Sequence, residues 1–238
     1  LVLLFLNFLF TREFFYALME GVMNMKYSAL ICAAGSGTRM KLGYNKVYAK
    51  LNNGQMIIDK TINVFLNDSD CEEVIVVSDP DTFLEMHNGV IDQRITLVQG
   101  GSTRQESVYH GLVKVKNSYV MIHDGARPFL NQDLIDCIKN ALASEDACLL
   151  MVPCKDTIKK VIDGYVETTY DRSTLMAAQT PQAFKTDLIL DCTKKAMEEN
   201  YTGTDDASLV EKYSDVKVKA VEGSYANIKI TTIEDLKG

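Results

Sequence analysis

The sequence predicts an α/β fold: a single domain built on a mostly parallel sheet with helices on both faces, from which a two-stranded β-arm projects. Three observations carry this. From residue 27 onward short apolar runs alternate with longer stretches of helical period, the rhythm of parallel strands joined by crossover helices. The runs read as fully buried strands, which requires cover on both sides of the sheet. One stretch, 155–180, breaks the rhythm with two alternating segments flanking Asp163-Gly164, a strong hairpin-turn dipeptide. Composition agrees, since 238 residues with 47% hydrophobic and 24% charged exclude a disordered or fibrous chain.

Taken in order, residues 1–24 open with an apolar run that stops at Thr11-Arg12-Glu13. Ten residues are too few to span a bilayer, and a signal peptide needs a basic start and a small-residue cleavage site. This leader therefore reads as sequence upstream of a start at Met25, with an amphipathic helix as the alternative. The domain occupies 25–238. Strands are expected at 27–32, 73–78, 95–98, 119–123 and 147–153, and helices at 55–66, 104–115, 132–144 and 186–200. The arm pairs 157–161 with 165–170. Isolated two-stranded ribbons are marginal in water, so the arm is expected to pack on a partner subunit, with folding back on its own domain as the alternative.

Twenty-five basic against 32 acidic residues give a net charge of −7 with no Lys/Arg block. That disfavours nucleic-acid binding and leaves any anionic ligand to a few locally placed cations. The six cysteines form no CxxC pair and no zinc-ligand spacing with the three histidines, so buried free thiols in a reducing cytoplasm are expected. His123, ending a buried run, reads as a core residue.

In open parallel sheets chemistry sits in the loops after the strands. The first such loop, AAGSGTRM at 33–40, carries Gly35, Gly37 and Arg39, with Lys46 beyond. Glycines remove the Cβ atoms that would keep a backbone from phosphate oxygens. The loop lacks both the GK[ST] ending of a P-loop and the third glycine of a dinucleotide fingerprint. Two cations beside a glycine cradle suit a triphosphate.

This loop, followed by Asn45-Lys46, resembles the sugar-phosphate nucleotidyltransferases. GGSTRQESV at 100–108, HDGARPF at 123–129, KDTIK at 155–159, DRSTLMAAQTPQAF at 171–184, GTDDASLVE at 203–211 and EGSYANIKITTIEDL at 222–236 follow in the order of one branch. That branch is the 2-C-methyl-D-erythritol 4-phosphate cytidylyltransferase family. The resemblance covers 27–238 and implies a Rossmann-like, glycosyltransferase-A-like sheet, a homodimer, and Mg2+-dependent CMP transfer from CTP to a polyol phosphate. Ribitol 5-phosphate cytidylyltransferase, a close relative, is the alternative reading, and a non-catalytic nucleotide-binding module is the alternative of another class.

The resemblance also implies roles. Arg39 and Lys46 match the cations that stabilise the transition state. Ala33, Ala34, Gly35 and Gly37, with Gly101, Ser102, Arg104 and Ser107, fall where the family holds CTP. Asp124 matches the magnesium carboxylate, and Arg127 falls in the substrate pocket. Thr157, Arg172, Thr180 and Lys229 match residues that grip the methylerythritol phosphate. Arg172 and Thr180 are expected to arrive from the arm of the neighbouring subunit. Asp205 and Asp206 read as carboxylates complementing a helix dipole, structural rather than chemical.

Overall fold

The structure, a computed structural model, describes residues 25–35, 44–232 and 234–237. The leader 1–24, as well as Gly37 and Arg39, falls outside the described residues. The described chain forms a seven-stranded sheet in the order β3-β2-β1-β4-β8-β5-β9 and a separate two-stranded ribbon, β6-β7. The strands are β1 (Tyr27–Cys32), β2 (Cys71–Ser78), β3 (Ile95–Gln99), β4 (Tyr119–Asp124), β5 (Ala147–Pro153), β6 (Lys159–Ile162), β7 (Tyr165–Thr169), β8 (Met176–Lys185) and β9 (Lys219–Glu222). The helices are α1 (Ile57–Leu66), α2 (Pro80–Met86), α3 (Arg104–Leu112), α4 (Gln132–Leu142), α5 (Thr186–Glu198) and α6 (Ala207–Tyr213).

β1 lies parallel to β2 and β4, with Leu30 opposite Ile75 on one side and Ile122 on the other. Its period of two divides the core. Tyr27, Ala29 and Ile31 face α1 and α4 through Ile58, Ile62, Phe65 and Ile138. Leu30 faces the opposite layer, where Val108 and Leu112 of α3, Ile189 of α5 and Val210 of α6 pack. Helix starts are secured locally, since Thr103 accepts from the Glu106 N–H at 3.1 Å and Asn131 from the Leu134 N–H at 3.1 Å. Gly111 lets α3 lie against the sheet, because a Cβ there would meet Leu30 at 2.7 Å and Val77 at 2.8 Å.

Sequence rhythm misses two strands, β9 at the sheet edge and, with more consequence for the site, β8 in its interior. It runs antiparallel between β4 and β5, with Val120 opposite Phe184 and Ala147 opposite the same residue on the other side. Pro181 argues against a central strand because it offers no N–H. The structure places it in a gap of the ladder: pairing with β5 stops at Gln182 and resumes at Ala178. The arm leaves from β5 and returns into β8, so it ends before residue 180. Its turn has the expected chemistry, Asp163 at φ 50° and Gly164 at φ 82°. Arg172, just past the expected second arm strand, sits in a short 3-10 turn, Arg172–Thr174. All six cysteines are free, but Cys137 is exposed and Cys32 and Cys154 are half-buried, so the expectation of buried thiols holds for Cys71, Cys148 and Cys192.

Candidate active site

Order 3-2-1-4 makes the β1/β4 boundary a switch point, where crossovers diverge to opposite sides and a crevice opens at the carboxyl ends. Beyond β1, the Ala33 carbonyl accepts from the Asn45 side-chain amide at 2.5 Å, and the Asn45 Oδ1 accepts from the Val47 N–H at 3.2 Å. Val47 and Tyr48 bury themselves in the core, so Lys46 is pinned at the rim, where its ammonium donates to the Ile230 carbonyl at 2.7 Å. Across the crevice the 100–103 loop approaches Ala34 so closely that a Cβ on Gly100 would collide with the Ala34 methyl. Ser107 Oγ accepts from the Gly101 N–H at 3.0 Å and donates to the Thr103 carbonyl at 2.8 Å, shaping the same loop. Glu106 Oε2 closes it by accepting from the Ser102 N–H and hydroxyl at 2.6 and 2.5 Å.

Charge is concentrated at the end of β4. The Asp124 Oδ2 oxygen lies 2.8 Å from Lys229 Nζ and 3.6 Å from Arg127 Nε, while Oδ1 lies 3.7 Å from Arg104 Nε. Burial works against this carboxylate, but Lys229, Arg104 and Arg127 outweigh it and hold its pKa down at about 2. Arg104 is gripped bidentately by Asp206, at 2.9 and 2.7 Å. Burial also opposes the Arg104 charge, and Asp206 and Asp124 more than restore it.

Behind Asp124, Thr180 Oγ1 accepts from the Asp124 N–H at 3.0 Å and lies 3.0 Å from His123 Nδ1. The other ring nitrogen, Nε2, faces the Arg127 carbonyl at 3.2 Å, so Nε2 carries the proton and Nδ1 accepts from the threonine hydroxyl. Burial pushes the His123 pKa down to about 4, which keeps the ring neutral. His123 is thus a core residue, as expected.

The resulting cavity, about 570 Å3, is lined by Ala33, Ala34, Gly35, Lys46, Gly101, Ser102, Arg104, Ser107, Asp124 and Lys229, with Cys32, Asn45, Val47, Thr103 and Ala126. Ten of the sequence-derived residues therefore meet in one place. Arg127 stands behind it, 12% exposed in its side chain, and donates to the Asn227 carbonyl at 2.7 Å. Thr180 is not an arm residue. It is 5% exposed within β8, and its hydroxyl is engaged with Asp124 and His123 of its own chain, which corrects its assignment to a neighbour's arm. Thr157 and Arg172 are exposed on the arm segment, the Arg172 guanidinium donating to the Lys155 carbonyl at 2.7 Å. Lys229 lies in an irregular stretch, 228–230, that is tied down by the Ile230 N–H donating to the Ala126 carbonyl at 2.8 Å.

Two residues escaped sequence reasoning. Asn45 is a spacer by pattern, and only its double hydrogen bonding reveals that it fixes both the Ala33 carbonyl and the start of the Lys46 turn. Asp206 was read as a dipole partner, but its side chain caps nothing in α6. The available clue was the Asp-Asp doublet itself, since one carboxylate suffices to cap a helix.

The arrangement is an anion receptor with an embedded carboxylate. Cys32, the thiol in its wall, is pushed up to about 12 by burial and supplies no thiolate at neutral pH. Among the described residues no group of three or more His, Cys, Asp or Glu side chains could cage a metal alone. Asp124, ionised and lining the cavity, fits a magnesium ion that takes one protein carboxylate and fills its shell with phosphate oxygens and water.

Known proteins agree with this geometry. The family model for 2-C-methyl-D-erythritol 4-phosphate cytidylyltransferase matches residues 27–238. A protein of that description from Bacillus velezensis is 44% identical over 217 residues, covering 89% of this chain and 93% of the relative, and one from Geobacillus kaustophilus is 43% identical over 217 residues, covering 89% and 94%. Among solved structures, the 4-diphosphocytidyl-2C-methyl-D-erythritol synthase of Anaerococcus prevotii superposes with a TM-score of 0.80 at 34% identity, covering 92% of this chain and 95% of the other. The Francisella tularensis 2-C-methyl-D-erythritol 4-phosphate cytidylyltransferase gives 0.76 at 32% identity, covering 89% and 96%. With the family model matched over 27–238 and relatives of 43–44% identity covered almost to their full length, the chain belongs to the 2-C-methyl-D-erythritol 4-phosphate cytidylyltransferase family.

Proposed function

We infer that the chain transfers CMP from CTP to 2-C-methyl-D-erythritol 4-phosphate, releasing pyrophosphate, as a step of non-mevalonate isoprenoid synthesis. The observation that carries this reading is a crevice of about 570 Å3 lined by Lys46, Arg104 and Lys229 beside the Asp124 carboxylate. A phosphate oxygen of the polyol phosphate attacks the α-phosphorus of CTP in line. The bond from that phosphorus to the bridging oxygen breaks, and the electron pair leaves with pyrophosphate. The nucleophile is already anionic near neutral pH, so no general base is needed. Positioning and charge stabilisation carry the rate.

Lys46 and Arg104 are placed to meet the triphosphate, and Lys229 the polyol phosphate at the Asp124 end. Arg39 is proposed to join Lys46, and Gly35 and Gly37 to admit the phosphates. Asp124 would hold Mg2+, which when bound neutralises charge shared between phosphate oxygens. Arg127 and Thr180 act from behind by fixing Asp124. Thr157 and Arg172 lie outside their own chain's cavity. We propose that the arm, with Ile162, Tyr165 and Val166 exposed, packs on a second copy and delivers Thr157 and Arg172 to its site. Free thiols and the absence, among the described residues, of a helix able to cross a membrane fit a cytoplasmic enzyme.

The decisive experiment measures pyrophosphate release from CTP and Mg2+ with methylerythritol 4-phosphate and with ribitol 5-phosphate, side by side. Preference for the first is expected. Preference for the second would keep the chemistry and change the substrate, and release with neither would leave a nucleotide-binding module. Light scattering should give a dimer mass, and a monomer would remove the arm from the site.

A further inference from the structure

We propose that Asp206 is a positioning residue for CTP: it clamps the Arg104 guanidinium into the cavity wall and keeps it off Asp124. The proposal rests on the cytidylyltransferase reading. Asp206 stands at the N-cap position of α6, where a carboxylate normally serves the helix, yet its side chain makes no cap hydrogen bond. The helix start is secured by others. Asp205 Oδ1 accepts from the Ser208 N–H at 3.0 Å, and Gln182 Oε1, from β8, accepts from the Ala207 N–H at 2.9 Å. That leaves both Asp206 oxygens for Arg104, and both are used.

Arg104 is contested. Asp206 holds its two terminal nitrogens in a planar fork, while Asp124 faces its Nε from 3.7 Å. Fork-to-carboxylate pairing fixes the guanidinium plane as well as its place, which a single point contact does not. Released from Asp206, Arg104 would swing onto Asp124. It would then withdraw its remaining N–H donors from the cavity and occupy the carboxylate oxygen that now faces it. Because Gln182 also donates to Asp205 at 2.7 Å, the clamp is mounted on the central sheet rather than on a free loop.

The test is steady-state kinetics and calorimetric CTP titration of Asp206→Asn. KM for CTP is expected to rise about tenfold or more, the scale for losing a partner that orients a ligand-holding group, with KM for the polyol phosphate within about twofold. Asp206→Glu should recover part of the loss, and carries the measurement if the asparagine variant does not fold. Asp205→Ala should lower the melting temperature without splitting the two KM values. Arg104→Lys combined with Asp206→Asn should lose little more than either alone, because both remove one fork. Equal shifts in both KM values, or losses that multiply in the double variant, would overturn the proposal. A wild-type chain that released no pyrophosphate would overturn the functional reading instead, while CTP titration of the variants would still decide the clamp.

Discussion

The molecule contains two buried charge clusters at opposite ends of the same sheet, and they are built to opposite balances. At the amino ends of β1 and β2, Lys139 reaches Asp68 at 3.3 Å, Asp70 at 3.0 Å and Asp136 at 2.9 Å, and Lys26 adds a contact to Asp70 at 3.2 Å. Tyr27 donates to Asp68 at 2.9 Å and Gln132 at 3.2 Å. Here carboxylates outnumber cations, and the donors and acceptors face one another. At the carboxyl ends, Lys229, Arg104 and Arg127 surround Asp124, Asp206 shares Arg104, and Lys46 stands at the rim. Cations outnumber carboxylates there, and they line a cavity. Burial and ion pairing are common to both, so neither marks a site. What marks it is a majority of cations lining an open volume at the carboxyl ends of the strands.

The contrast can be broken from either end. Lys46→Ala should lower turnover by about 100-fold or more, the scale for removing one electrostatic stabiliser, with the melting temperature little changed; stopped-flow or steady-state pyrophosphate release measures it. Lys139→Met should do the reverse. It strands buried carboxylates, so denaturant titration should show a loss of about 3 kcal/mol, while kcat/KM of the folded fraction stays at the wild-type value. Thr180→Val, which touches the site cluster only from behind, leaves the Asp124 N–H without its acceptor. A loss of about 1–2 kcal/mol is expected, with Thr180→Ser restoring most of it.

The smallest effect concerns acid. Burial alone would raise the Asp68 carboxyl, but the Asp70 N–H, Gln132, Tyr27 and Lys139 outweigh it and hold it below its ordinary value of 3.8. A depressed native pKa gives stability that is present above the unfolded value and lost as pH falls through the native one. Asp68→Asn should therefore flatten the fall of stability with acid below about pH 4, followed by urea titrations at stepped pH.

How much of this was legible in the sequence depended on whether a residue acts through pattern or through partners. β5 could be placed to the residue because 147–153 is a bounded apolar run, and the arm because Asp163-Gly164 needs a turn. β8 could not, since a buried strand carrying Gln179, Thr180, Pro181 and Gln182 has no strand period; those polar groups are satisfied by Asn227, Asp124, His123 and Asp205, which are far away in sequence. Of the cavity residues, Gly35 and Lys46 were legible from the glycine loop after β1, while Gly101, Ser102, Arg104, Ser107, Asp124 and Lys229 were reached only through the resemblance of their motifs to a family. Asp206 was not legible, because its partner is a hundred residues distant and a helix start offered it a sufficient local occupation.

Pro153 and Met176 are direct partners across β5 and β8. The arm is therefore a hairpin whose neck is already closed by the sheet, and just beyond the neck Lys155 is held to the body by its ammonium, 3.7 Å from the Tyr225 ring centroid. Such an appendage can be shortened, lengthened or exchanged for a tight turn without asking the crevice to rearrange. Changes to the arm can consequently accumulate or be engineered separately from the crevice, since neither Thr157 nor Arg172 lines the cavity of its own chain.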